Sequence, residues 1–155
     1  MSACDILVIA NLNMDLILEQ KNSQQTSRKR YADSFTLSPG GNGYNEAVAA
    51  ARMGATVALA GMIGSDSFGA QLKASLNEEI TDSQLVRVVP GSSGLSLILS
   101  SAGQENIYWD IVGANACLDE EYIRGLESHI AKVKLLVVGF GVPYLSLIHI
   151  SEPTR

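Results

Sequence analysis

Pro39-Gly40-Gly41-Asn42-Gly43-Tyr44-Asn45-Glu46-Ala47-Val48-Ala49-Ala50-Ala51-Arg52-Met53-Gly54 is the stretch that decides the fold. Proline followed by two glycines breaks the chain. Asn45–Met53 then has helical composition, its alanines giving a thin face that packs closely. Gly54 supplies the C-terminal stop. On either side stand apolar runs of strand length, Ile6–Asn11 before and Val57–Met62 after, both read as buried strands. A helix set between two buried strands is the signature of a parallel sheet, whose crossovers need helices.

The alternation continues downstream. Asp66–Glu79 is predicted as a helix, with Phe68, Leu72 and Leu76 four residues apart on one face. Asp119 caps a further helix running to about Lys132, with Glu120 and Glu121 in the first turn, where the helix dipole favours them. Lys134–Gly139 supplies a last buried strand. Two strand pairs do not fit the alternation: Leu16–Glu19 with Ser34–Leu37, and Gly94–Ser100 with Asn106–Ile111. They predict a small projecting sheet, a plausible lid beside the glycine-rich loop. The expected fold class is α/β: a mainly parallel sheet with helices on both faces, in three Rossmann-like layers, plus the lid from residues near 16–37 and 94–111.

Composition narrows the function. The chain has 155 residues, 46% hydrophobic and 17% charged, enough apolar material for a core. A net charge of −5 argues against a nucleic-acid partner. No apolar run is long enough to span a membrane, and the N-terminus lacks the features of a secretory signal. Two isolated cysteines, Cys4 and Cys117, form no zinc pattern and suit a reduced, cytoplasmic protein. Arg28-Lys29-Arg30 reads as a solvated turn, and His129 as a residue on a solvated helix face.

Three polar segments carry candidate chemistry: Asn11-Leu12-Asn13-Met14-Asp15, the glycine loop, and Gly113-Ala114-Asn115. The first stands at the carboxyl end of a strand, where open α/β sheets bind ligands. Gly40, Gly41 and Gly43 are expected to take positive φ and let a ligand approach the backbone, and the opening N–H groups of the helix are donors. A carboxylate such as Asp15 would repel phosphate but accepts bonds from neighbouring hydroxyls; Asn13, Asn42 and Asn45 both donate and accept. That favours a polyhydroxylated ligand. Composition alone leaves open that these residues only cap turns. A dinucleotide site is weak, because Gly41-Asn42-Gly43-Tyr44-Asn45-Glu46 lacks the last glycine of G-x-G-x-x-G and does not follow the first strand directly.

The loop and helix from Pro39 to Ala55 resemble the first signature of the ribokinase-like (PfkB-type) carbohydrate kinases. Gly61-Met62-Ile63-Gly64-Ser65-Asp66-Ser67-Phe68-Gly69, Ser93-Gly94, Glu105-Asn106-Ile107 and Gly113-Ala114-Asn115-Ala116 extend the resemblance over nearly all of residues 4–144. The last of these is most similar to the ribokinase branch. The resemblance implies ATP-dependent phosphorylation of a sugar hydroxyl, with ATP and Mg2+ as cofactors of the full-length parent. It implies sugar contacts at Asn13, Asp15, Gly41, Asn42 and Asn45, a lid that closes over the sugar, and a homodimer through the lid sheet. Where this chain has Asn42 and Gly141, ribokinases usually have Lys and Glu, so another acceptor (fructose, another hexose or a nucleoside) stands as the alternative. The family's catalytic Asp lies in a Gly-Ala-Gly-Asp segment that this sequence lacks, so residues 1–144 read as the sugar-binding part of the kinase domain, inactive alone. A sugar-binding remnant without catalysis is the further alternative. Leu145–Arg155 matches a translated transposase adapter and is expected to be an artefact.

Overall fold

A computed structural model describes residues 4–21 and 29–139. Arg28, Gly141, Pro143, His149 and the 145–155 tail lie outside the described residues. The elements are β1 (Ile6–Ile9), β2 (Asn13–Gln20), β3 (Ser34–Gly40), α1 (Asn42–Arg52), β4 (Val57–Gly64), α2 (Ser67–Glu79), β5 (Val86–Val89), β6 (Gly94–Ser101) and β7 (Ile107–Ile111). A 3-10 turn over Gly113–Cys117, α3 (Glu120–Arg124), α4 (Glu127–Ile130) and β8 (Leu135–Val138) follow.

They form two four-stranded sheets. The main sheet runs β5-β4-β1-β8, every described pair parallel. All eight residues of β4 are buried, as a central strand covered on both faces requires. One face carries Val8, Val57, Leu59 and Ile63 against Ala47 and Val48 of α1 and Leu72 and Leu76 of α2. The other carries Leu7, Ile9, Ala60 and Met62 against Leu118, Tyr122, Ile123 and Leu126. Burying each large apolar side chain contributes about 1.5–3 kcal/mol. The Tyr122 hydroxyl satisfies itself by donating to the Leu85 carbonyl at 2.5 Å.

The second sheet is the lid, in the order β3-β2-β6-β7. β2 pairs with β6 in parallel, and β3 and β7 flank them antiparallel. Because side chains alternate, the register sorts its two faces. Rows such as Leu37–Leu16–Leu97–Trp109 and Phe35–Leu18–Leu99–Ile107 make one face largely apolar. The row Ser38–Asp15–Ser96–Asp110 lies on the opposite face.

Several boundaries differ from the sequence reading. β1 ends at Ile9, because Ala10–Leu12 carry the chain from the main sheet into the lid. Pro39 and Gly40 stay in β3, so the break falls at Gly41 alone. Only Gly41 of the three loop glycines has positive φ, at 86°. Gly40 and Gly43 are needed for space instead: a Cβ would lie 2.0 Å from Asp15 Oδ2 at the first and 2.1 Å from Ala10 Cβ at the second. The helix capped by Asp119 is two short ones, α3 and α4, and β5 was not anticipated.

Candidate functional site: a cleft under the lid

Ala10–Leu12 carries the chain from the main sheet into the lid and Gly41 from the lid into α1, and the polar segments gather at these crossings. A cleft of about 460 Å3 opens between them. Asn13, Asp15, Gly41, Asn42 and Asn45 all line it. α1 starts at Asn42, earlier than its composition suggests, which puts Asn42 and Asn45 three residues apart on its first turn. No side chain caps this end, so its opening N–H groups, which have no intrahelical partner, are donors toward the cleft.

The third polar segment acts as a brace. Asn115 is buried; its amide donates to Asn13 Oδ1 at 2.8 Å and to the Leu12 carbonyl at 3.2 Å, and its Oδ1 accepts from the Leu12 N–H at 3.0 Å. Asn13 then donates to Ser96 Oγ at 3.1 Å, and Ser96 donates to Asp110 Oδ1 at 2.7 Å. The amide orientation of Asn13 and the hydroxyl of Ser96 are thereby fixed, and the chain of donors ends on a lid carboxylate.

Burial pushes the Asp15 carboxyl above the usual carboxylate range; the Gly41 N–H pulls it back, and the nearby Asp110 charge pushes it further up. Asn11 Oδ1, also at the cleft, is buried without a hydrogen-bond partner among the described residues. Neither Lys nor Arg is among the described residues lining the cleft.

A second junction holds the root of β6. Asp66 caps α2 by accepting from the Gly69 N–H at 2.8 Å. The same carboxylate accepts from the Ser93 N–H at 3.0 Å and the Ser93 hydroxyl at 2.6 Å, while Ser93 Oγ accepts from the Gly64 N–H. Burial raises the Asp66 carboxyl, but these bonds to its ionised form outweigh that and leave it below the usual range.

Sequence reasoning did not single out Ser96, Tyr108 or Asp110 as cleft residues. Their signal was available in Asp110, a lone charge inside the otherwise uncharged strand Ile107–Ile111.

The sequence matches the model of the pfkB family carbohydrate kinases over residues 4–149. The chain belongs to that family. Among its curated relatives, a ribokinase of Haemophilus influenzae is 30% identical over 139 residues, covering 89% of this chain and 45% of its own. A deoxyribokinase of Salmonella typhi is 30% identical over 149 residues, covering 96% and 49%. The crystal structure of a ribokinase from Cryptococcus neoformans in complex with ADP superposes with a TM-score of 0.77 at 26% identity, over 95% of this chain and 45% of that one. The chain thus spans about half the length of the curated relatives it matches.

The cleft residues do not fit a nucleoside triphosphate with its metal ion. The described lining carries carboxylates at Asp15 and Asp110 and no cation to meet phosphate charge. Among the described residues, no group of three or more His, Cys, Asp or Glu is placed to hold a metal. Likewise, no helix among them is long and apolar enough to cross a membrane.

Proposed function

We propose that this chain is the sugar-binding half of an ATP-dependent sugar kinase, and that Asp15, Asn13, Gly41, Asn42 and Asn45 hold the sugar. The observation that carries the reading is the convergence of these five residues, from β2, α1 and the Gly41 turn, on one cleft roofed by a sheet. Asp15 accepts from sugar hydroxyls, and Asn42 and Asn45 meet them from the first turn of α1. The Asn115–Asn13–Ser96 brace keeps these groups oriented before the sugar arrives, which lowers the cost of ordering them. The lid excludes water, so that phosphate passes to sugar rather than to solvent.

ATP with Mg2+ would supply the phosphate, and we assign both, with the catalytic base, to protein outside this chain. The chain by itself therefore transfers no phosphate; ADP formation above background with ribose or deoxyribose contradicts this. The relatives suggest a pentose as acceptor, with a hexose or nucleoside the alternative. The free thiols Cys4 and Cys117 suit the reducing cytoplasm, and the apolar outer face of the lid suits a second copy of itself.

The direct test is titration of the chain with D-ribose, 2-deoxy-D-ribose and D-fructose, read by calorimetry and by the fluorescence of Trp109, the one tryptophan in the sequence, which sits on the lid strand β7. Saturable binding of at least one sugar, weakened about tenfold or more in Asp15→Asn, is expected. Binding of none of them contradicts the reading.

A further inference from the structure

The unmet hydrogen-bonding groups of the cleft divide by side. On the α1 side they include N–H groups and the amides of Asn42 and Asn45, a mixture of donors and acceptors. On the lid side the carboxylates of Asp15 and Asp110 supply acceptors, beside the Tyr108 hydroxyl, which can also donate. Asp110 uses Oδ1 to accept from Ser96, and its Oδ2 has no hydrogen-bond partner among the described residues. Asp15 accepts from Gly41 and retains further lone pairs. Asn11 Oδ1 is a buried acceptor to which nothing among the described residues donates.

The register gives this a shape. Asp15 on β2 and Asp110 on β7 share one row, with Ser96 of β6 between them. Two strand spacings place their Cα atoms about 10 Å apart. A ligand seated over Ser96 meets a carboxylate on either edge. With no cation among the described residues lining the cleft, Asp110 Oδ2 is left to water until a ligand brings a donor.

We propose that Asp110 is a specificity-determining residue of the lid, accepting from a hydrogen-bond donor on the sugar edge opposite the one Asp15 holds. This rests on the sugar-binding reading above and adds the substrate class: a sugar with a donor, hydroxyl or ammonium, on its lid-facing edge. A substrate apolar there displaces water from Asp110 Oδ2 under the closed lid and brings it no donor, which is costly. Ser96 and Asn13 hold Asp110 in place through the donor chain that ends on it.

The experiment measures affinities of the chain for D-ribose, 2-deoxy-D-ribose, D-glucose and D-glucosamine in the wild type, Asp110→Ala, Asp110→Asn, Ser96→Ala and Asp15→Asn. Asp110 is exposed on an edge strand, so its substitutions leave the core intact. The expected result is that Asp110→Ala weakens the preferred sugar about tenfold or more and flattens the ratios among sugars, whereas Asp15→Asn weakens all of them together. Retained preference in Asp110→Asn identifies the donor as a hydroxyl, since the amide oxygen still accepts; loss of a glucosamine preference in that variant identifies an ammonium. If the wild type binds sugar and Asp110→Ala leaves the ratios within about twofold, the proposal is wrong while the sugar-binding reading stands. Ser96→Ala, which removes the donor that holds Asp110 in place, is expected to weaken the preferred sugar in the same direction but less than Asp110→Ala does. If no sugar binds, both fall together.

Discussion

The Asp15 carboxyl lies at the cleft, partly buried and with Asp110 in the same sheet row. Burial and that neighbouring charge both favour its protonated form. Its folded-state pKa therefore stands above its unfolded value, and the folded chain binds the extra proton between the two. Stability falls as pH rises through that window, so at neutral pH the Asp15 charge costs stability. Asp15→Asn is accordingly expected to melt higher than wild type at pH 7, with the gap narrowing as pH drops, while sugar affinity falls about tenfold or more. Thermal melts at several pH values beside a sugar titration check both arms; a lower melting temperature at pH 7 contradicts the electrostatic account. The five residues singled out in the sequence stand together because each belongs to a segment where polar side chains interrupt apolar runs. Ser96 and Asp110 were not legible in this way. They are single polar residues in β-strands, and only the register of β6 against β7 puts them over the same cleft as Asp15.

At the level of elements, two contacts fix how the lid and the α1 loop sit on the main sheet. The first is Asp66, which joins the start of α2 to the root of β6 through Gly69 and Ser93. Asp66→Ala removes a helix cap and leaves Ser93 without its acceptor, so a loss of about 1–2 kcal/mol is expected from urea unfolding, the cap term alone being about 1 kcal/mol. Its folded pKa is depressed, so its contribution is fully present above the unfolded value of about 3.9 and disappears as pH falls through the lower folded value. Wild type and Asp66→Ala should converge in stability under strongly acid conditions; a difference independent of pH contradicts the assignment. The second is Gly43, where a Cβ would lie 2.1 Å from Ala10 Cβ. Gly43→Ala forces α1 away from the end of β1, at a cost of about 1–3 kcal/mol, and displaces Asn42 and Asn45 with it. Sugar affinity in that variant should fall although no ligand contact was removed. The alternation of helices with apolar strands was legible because β1, β4 and β8 are uninterrupted apolar runs and α2 keeps its four-residue spacing. β5 was missed because Arg87 interrupts a four-residue edge strand. The split between α3 and α4 was missed because Gly125 sits inside a pattern that otherwise continues as helix.

On the scale of the whole molecule, the lid presents two faces of opposite character, and the cleft uses only the polar one. The other stacks apolar rows from β3 to β7, with Phe35 at 68% exposure and Trp109 at 52%. Rows of large apolar side chains at that exposure are uncommon on a monomer surface and mark an interaction face. A sheet face can meet a second copy of itself across a two-fold axis, where one patch serves both partners. Face-to-face packing brings the sheets about 10 Å apart and leaves the polar faces open to the cleft on either side. Dimerisation would then stiffen the lids without blocking sugar entry. Sedimentation at micromolar concentration is expected to give a dimer for the wild type and a monomer for Trp109→Glu combined with Phe35→Glu. Each charge would be buried unpaired at the interface, a penalty of several kcal/mol. The double variant should keep its melting temperature at low protein concentration, since neither side chain belongs to the buried core. In the dimer Trp109 is dry and its emission blue-shifted, so dilution through the dissociation range should shift it red. A wild-type chain that sediments as a monomer at every concentration, with emission unchanged on dilution, contradicts a self-association role for this face.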